Sequence, residues 1–187
     1  MFMRSERLFL RPGWPEDLDE LYMLLSDEDV VRNLARDPWP LSVEDARDII
    51  CRPRDRLLPH LFITVPGHAG ARLVGSIGLG RDGDEVELGY WIAKDHRGRG
   101  YATEAVRAML NLSRALGHKQ LLATHYSDNP GSFRVLEKAG FRRSGGSCER
   151  SSTGRDGPAP ATHYSIALDC LGCDADVDGD GDGMKAA

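Results

Sequence analysis

No stretch of the chain approaches the ~18 consecutive apolar residues that a membrane-spanning helix requires. The opening run, "MFMRSERLFLRP", also lacks the apolar h-region of a secretory signal. Basic excess is missing too. Six of the 29 acidic residues but only one base, Lys185, lie after Leu168, so the first 168 positions are charge-balanced and offer no nucleic-acid surface. The whole net charge of −5 sits in the tail. A disulfide framework is not expected from the four cysteines, at positions 51, 148, 170 and 173, without an export signal. Cys170 and Cys173 form a lone CxxC, with no second pair and no histidines at ligand spacing, so no metal site is expected. A cytoplasmic protein is the expectation, with no membrane or nucleic-acid partner.

What is present suits one globular domain: 187 residues, 41% hydrophobic and 28% charged. The segment "DADVDGDGDGMKAA" matches half of a calcium loop at Asp174, Asp176, Asp178 and Gly179. Its twelfth position is Lys185 instead of a bidentate glutamate, so residues 169–187 are expected to be a disordered acidic tail following a domain of residues 1–168.

Along the domain the apolar period changes several times. "ERLFLRP" reads as a short strand. "PEDLDELYMLLSDEDVVRNL" has helical spacing behind Pro15, and a further helix starts at Ser42, with Asp45 three residues on. "LFITVPG", "ARLVGSIGLG" and "DEVELGYWI" are strand-like. Residues 101–116 form an amphipathic helix stopped by Gly117. "KQLLATHY" is a buried-type strand, "NPGSFRVLEKAG" a short helix, and "FRRSGG" and "ATHYSIAL" two more strands. Between the last two, "SGGSCERSSTGRDGPAP" shows no periodicity and reads as a polar connection. The order predicts a mixed α/β layer fold.

The most informative stretch is "HRGRGYATEA", from His96 to Ala105. A helix N-terminus has unpaired N–H groups and partial positive charge, and Gly98 and Gly100 allow close approach of the backbone to an anion. Arg97 and Arg99 add oxyanion donors. A pyrophosphate cradle is one reading of these residues; a glycine-containing turn between strand and helix is the other. The lysine of a Walker loop is missing, and a dinucleotide fingerprint fails where Thr103 replaces its third glycine.

"RGRGYA" resembles the (Gln/Arg)-x-x-Gly-x-(Gly/Ala) signature of the GNAT superfamily of acetyl-CoA-dependent N-acetyltransferases, with Arg97, Gly100 and Ala102 in its fixed positions. "SERLFLRP", "PWPLSVEDA", "ELGYWI" and "DNPGSFRVLEKAGF" resemble its RimJ/RimL-type branch, in consistent order from about Ser5 to Leu168. The resemblance implies a twisted, mostly antiparallel α/β sheet with a central, splayed parallel strand pair and helices on both faces. It further implies acetyl-CoA as co-substrate, held by Arg97, Gly98, Arg99, Gly100, Tyr101 and Ala102, by the strand ending in Trp91 and Ile92, and by Asn129 and Ser132. The partner is an amine acceptor, either a protein N-terminus or a small molecule, and the protein is a monomer or homodimer.

Amine acetylation needs a base for the amine and a proton for the departing thiolate. On "VELGYWI", Val86, Leu88, Tyr90 and Ile92 share one face, with Glu87, Gly89 and Trp91 on the other. Glu87 is thus either the base, directly or through water, or an exposed strand glutamate. The family's usual acid is a tyrosine four residues before the Gly-Phe pair, and here that position is Leu136. Ser132 is the alternative donor, although a serine at a helix start is equally a cap. Tyr126 and His125 are further candidates. Trp91 and Trp39 would line an acceptor pocket or simply pack, and His96 reads as loop. With the usual acid missing, a non-catalytic acyl-CoA-binding module is the alternative function.

Overall fold

The computed structural model describes residues 1–34, 39–53, 55–67 and 70–168. The acidic tail, Cys170, Cys173 and the calcium-like half loop lie outside these residues. Eight strands form one sheet: β1 (Met3–Arg4), β2 (Phe9–Arg11), β3 (His60–Gly67), β4 (Gly70–Asp82), β5 (Glu85–Ile92), β6 (Gln120–Tyr126), β7 (Arg142–Arg150) and β8 (Ala159–Ala167). Their spatial order is β1-β2-β3-β4-β5-β6-β8-β7. Every neighbouring pair is antiparallel except β5–β6.

That parallel pair is joined at a single register point, Glu87 opposite Leu122. Beyond it the two strands diverge toward their C-terminal ends, and the sheet splits.

Directly opposed residues share a face, so the registers sort the side chains. One face carries His60 and Phe62 of β3, Ser76, Gly78 and Gly80 of β4, Glu87, Gly89 and Trp91 of β5, Thr124 and Tyr126 of β6, and Arg150 of β7. Phe62 and Trp91 on this face pack under α1 (Leu18–Leu25), α2 (Glu28–Val31) and α3 (Val43–Cys51) through Leu21, Leu25, Val30, Ala46 and Ile49. The opposite face carries Leu61, Ile63, Ile77, Leu88, Ile92, Leu121 and Ala123. It is covered by α4 (Tyr101–Ala115) through Ala105, Val106 and Met109 and by α5 (Pro130–Lys138) through Leu136.

One local pattern is resolved further by the structure and one reading is corrected. The long helical pattern after Pro15 divides into a 3-10 turn, α1 and α2, because Asp27 accepts from Asp29 N (2.9 Å) and starts a new helix. The "SGGSCER" half of the supposed polar connection is strand β7. β7 is an edge strand, largely exposed, and its register shifts between Arg143 and Ser147, so it has no apolar alternation to read. The Ser42 start is as expected: Ser42 Oγ accepts from Asp45 N (3.1 Å) while Ser42 N donates to Asp45 Oδ2 (2.8 Å).

Candidate active site

A cleft of about 630 Å³ runs through the split, and residues from both faces line it. On the α4/α5 side its wall is the turn into α4. Gly98 and Gly100 have φ of +76° and +82°, the left-handed region that L side chains rarely adopt. A Cβ at Gly98 would meet nothing within 4 Å, so there is open space beside the main chain. Gly100 is the N-cap of α4 and contributes no side chain, and the first backbone bond is Glu104 N to Gly100 O (3.1 Å). The preceding N–H groups are left for a ligand.

Glu104, which might have capped its own helix, is turned away. Its carboxylate accepts from Ser5 Oγ (2.7 Å), Arg7 N (2.7 Å) and Arg7 Nε (2.8 Å), and Arg7 Nη1 donates to Arg99 O (3.0 Å). Partial burial pushes Glu104 up, but the hydrogen bonds from Arg7 and Ser5 outweigh it and hold the carboxyl below its ordinary range. The segment before β2 thus clamps the turn from outside.

The two arginines of the turn both donate to main-chain oxygens. Arg97 lines the cleft and donates to Ile92 O (3.1 Å) and Asp29 O (3.2 Å), bracing β5 against α2. Arg99 donates to Asp95 O (3.0 Å) and lines a separate hollow with Arg7 and Arg72.

On β5, Ala93 N donates to Val74 O (2.8 Å), so by strand alternation the main-chain groups of Tyr90 and Ile92 face the split. Those of Trp91 point back to β4, and its indole is core on the α1–α3 side. Of the two tryptophans, Trp91 lines the cleft and Trp39 does not.

At the start of α5 the cap is Asn129, whose Oδ1 accepts from Ser132 N (3.1 Å). Ser132 Oγ is therefore not the cap. It pairs with Tyr90 Oη at 2.9 Å. Burial pushes the Tyr90 phenol up to about 12, only partly offset by Ser132, so it keeps its proton at any working pH. Leu136, one turn along α5, is 1% exposed and belongs to the core. Tyr126 lies on the other face. Its phenol donates to Ser151 O (3.0 Å), and the Arg155 guanidinium covers its ring at 4.1 Å. Burial pushes that phenol above its ordinary value as well. His125 is buried against Phe133 and Tyr164 on the Ser132 side.

Glu87 is not an exposed strand residue. It is 9% exposed, at the root of the split, and both its oxygens accept from Arg150: Oε1 from Nη1 and Oε2 from Nη2 at 2.7 Å. Three signals were missed in the sequence. Arg150 is on the edge strand without periodicity, Tyr90 was counted as part of an apolar stripe, and the Ser5–Arg7–Glu104 clamp joins residues 97 or more apart.

The cleft thus has a glycine-shaped helix start and a hydroxyl pair on one face and a buried carboxylate on the other. The acetyltransferase (GNAT) domain family matches residues 7–142. The N-acetyltransferase p20 of Bacillus licheniformis is 27% identical over 148 residues, covering 75% of this chain and 82% of that protein. An acetyltransferase (GNAT family) structure from Bacillus anthracis superimposes with a TM-score of 0.76 at 24% identity, covering 90% of this chain and 99% of the other. RimL, a ribosomal alpha-N-protein acetyltransferase in complex with coenzyme A, has a TM-score of 0.72 at 17% identity, covering 91% and 99%. The chain belongs to the GNAT acetyltransferase family and is an N-acetyltransferase. The expected fold, with one parallel pair in a mostly antiparallel sheet, is the one observed. Among the described residues no group of histidine, cysteine or carboxylate side chains is placed to hold a metal, and no helix is long and apolar enough to cross a membrane.

Proposed function

We propose that the protein transfers the acetyl group of acetyl-CoA to a primary amine by direct attack, with the carrier on the α4/α5 face and the amine on the Glu87 face. The observation that carries this reading is the single-point β5–β6 junction, which opens a passage between a glycine-shaped helix start and a buried carboxylate.

Acetyl-CoA fits the residues present. The uncapped N–H groups of α4 suit its pyrophosphate, the open space at Gly98 admits it, and the main chain of Tyr90 and Ile92 offers the pantetheine arm a strand-like edge. When bound, the co-substrate supplies an activated acetyl thioester and leaves as a thiol. Ser132, held in place by its hydrogen bond with Tyr90, gives a proton to the sulfur and is reprotonated through solvent by a proton that the amine releases. Glu87, oriented by the Arg150 fork, accepts the amine proton directly or through water. Asn129 keeps Ser132 in place by capping α5. Tyr126 contributes to the wall on the acceptor face and is not the donor to sulfur.

The RimJ/RimL-type motifs support membership of that branch, and a cytoplasmic setting goes with this reading. The binding-only alternative draws on Leu136, but the Tyr90–Ser132 pair provides a donor where the family's usual tyrosine is missing.

Glu87→Gln tests the reading. A loss of ~10²-fold or more in rate is expected for a removed general base. The variant's remaining rate should climb with pH as the free amine accumulates. A melting temperature measured alongside shows whether losing the Arg150 ion pair has unfolded the site. A folded variant with an unchanged pH–rate profile would remove Glu87 from the chemistry.

A further inference from the structure

The acceptor face has a charge pattern that selects among amines. Its floor is glycine: Gly78 and Gly89 lie opposite one another between His60 and Glu87, and a Cβ on Gly89 would meet nothing within 4 Å. One wall is His60, whose imidazole is driven down to about 4 by burial and then by the Arg52 charge, so it is neutral at working pH. The other wall is the Glu87–Arg150 pair.

Among the described residues lining the cleft, the carboxylates are Asp29 and Glu87. Both are already matched: Asp29 to Lys94 (2.8 Å) and Glu87 to Arg150. A polyamine would find no unmatched anion here and would meet Arg52 and Arg150. A peptide N-terminus offers Arg150 only a neutral carbonyl oxygen beside its amine, a weaker acceptor than a carboxylate.

Arg150 has more to give. The described residues take two of its five N–H donors, both through Glu87, and its side chain is 22% exposed against 11% for Glu87. The donors that remain, Nε–H and the second hydrogens of Nη1 and Nη2, lie in the same guanidinium plane that the Glu87 fork fixes.

Resting on the transfer reaction proposed above, we infer that the acceptor is a small zwitterion, a free α-amino acid, with its amine against Glu87 and its carboxylate against Arg150. The four charges then alternate, and the internal ion pair need not break. The incoming ammonium loses one proton through Glu87 to become the nucleophile. Its nitrogen bonds to the acetyl carbonyl carbon, the carbon–sulfur bond breaks, and a second proton leaves the nitrogen and, through solvent, replaces the one that Ser132 gives up. The sulfur takes a proton from Ser132. The products are an N-acetylamino acid and coenzyme A, with one proton released to solvent.

The test uses the full chain with acetyl-CoA and the free amino acids, each beside its own carboxamide, which keeps the amine and removes the negative charge. Spermine and an N-terminal peptide complete the set, and acetylated product is measured by mass spectrometry. At least one amino acid is expected to exceed its carboxamide in kcat/KM by ~30-fold or more, the lower end of what losing one partner of a desolvated charge pair costs. Arg150→Met also unpairs Glu87 and so slows both substrates, but it should shrink the ratio of that amino acid to its amide toward one. The wild-type comparison stands even if this variant does not fold. Equal use of acid and amide, or preference for spermine or the peptide, overturns the zwitterion and leaves the transferase reading intact. If no amine in the set is acetylated although acetyl-CoA raises the melting temperature, the acceptor inference is overturned alone. If acetyl-CoA raises nothing either, the transfer reading goes with it.

Discussion

Ser132→Ala is expected to lower kcat by ~10²-fold or more, the range for a positioned proton donor, with melting temperature and acetyl-CoA affinity close to wild type. The reason is the division of labour at the start of α5. Asn129 Oδ1 already takes the Ser132 N–H, so removing the hydroxyl does not uncap the helix. What is lost is the oxygen that pairs with Tyr90 Oη at 2.9 Å. A serine acting as cap would show the opposite pattern, with ~0.5–2 kcal/mol of stability lost and turnover kept. Tyr126→Phe serves as control, since its phenol donates to Ser151 O on the opposite face. A silent Ser132→Ala together with an inactive Tyr126→Phe would transfer the donor role across the sheet.

Gly100→Val should abolish acetyl-CoA binding. At φ +82° a β-branched residue is a strained outlier, and its Cβ would crowd Arg7 Nη2 (3.3 Å), displacing the clamp that holds this turn and its N–H groups in place. At a ligand concentration of 100 Kd the wild type gains about 2.7 kcal/mol from binding, a rise of roughly 5–10 °C in Tm for a chain of this size. The variant should show none of it. Gly83→Val separates strain from binding, because Gly83 also has positive φ (+60°) but lies in the β4–β5 turn. That control should melt lower than wild type yet keep the full acetyl-CoA shift. If Gly100→Val is folded and keeps it too, the pyrophosphate does not sit at this helix start.

The parts of this site that sequence shows are those made by neighbours in the chain. The "RGRGYA" turn declares itself because glycine spacing, helix start and strand end all fall within a dozen residues. The Ser42–Asp45 box is legible for the same reason. Glu87 was placed on the correct face by strand alternation alone, but its surroundings were not, since they come from β7, two strands beyond β6. An exposed edge strand needs no apolar alternation, so "SGGSCER" gave no period to detect and Arg150 stayed hidden. Tyr90 was hidden differently. It alternates with Val86, Leu88 and Ile92 as a core residue should, and only the fold brings its hydroxyl to a serine 42 positions away. Arg97 and Arg99 also hold the carbonyl oxygens of Ile92, Asp29 and Asp95, contacts that their charge alone does not announce.

The most direct measurement is coenzyme A thiol release, followed continuously in wild-type protein supplied with acetyl-CoA and a broad set of amines, with N-acetylated product counted in the same samples. Thiol and acetylated amine in equal amounts, dependent on the amine and lost in Ser132→Ala, are the predicted result. Acetyl-CoA that binds tightly yet releases no thiol with any amine would contradict it, and would mark the cleft as a binding site without transfer.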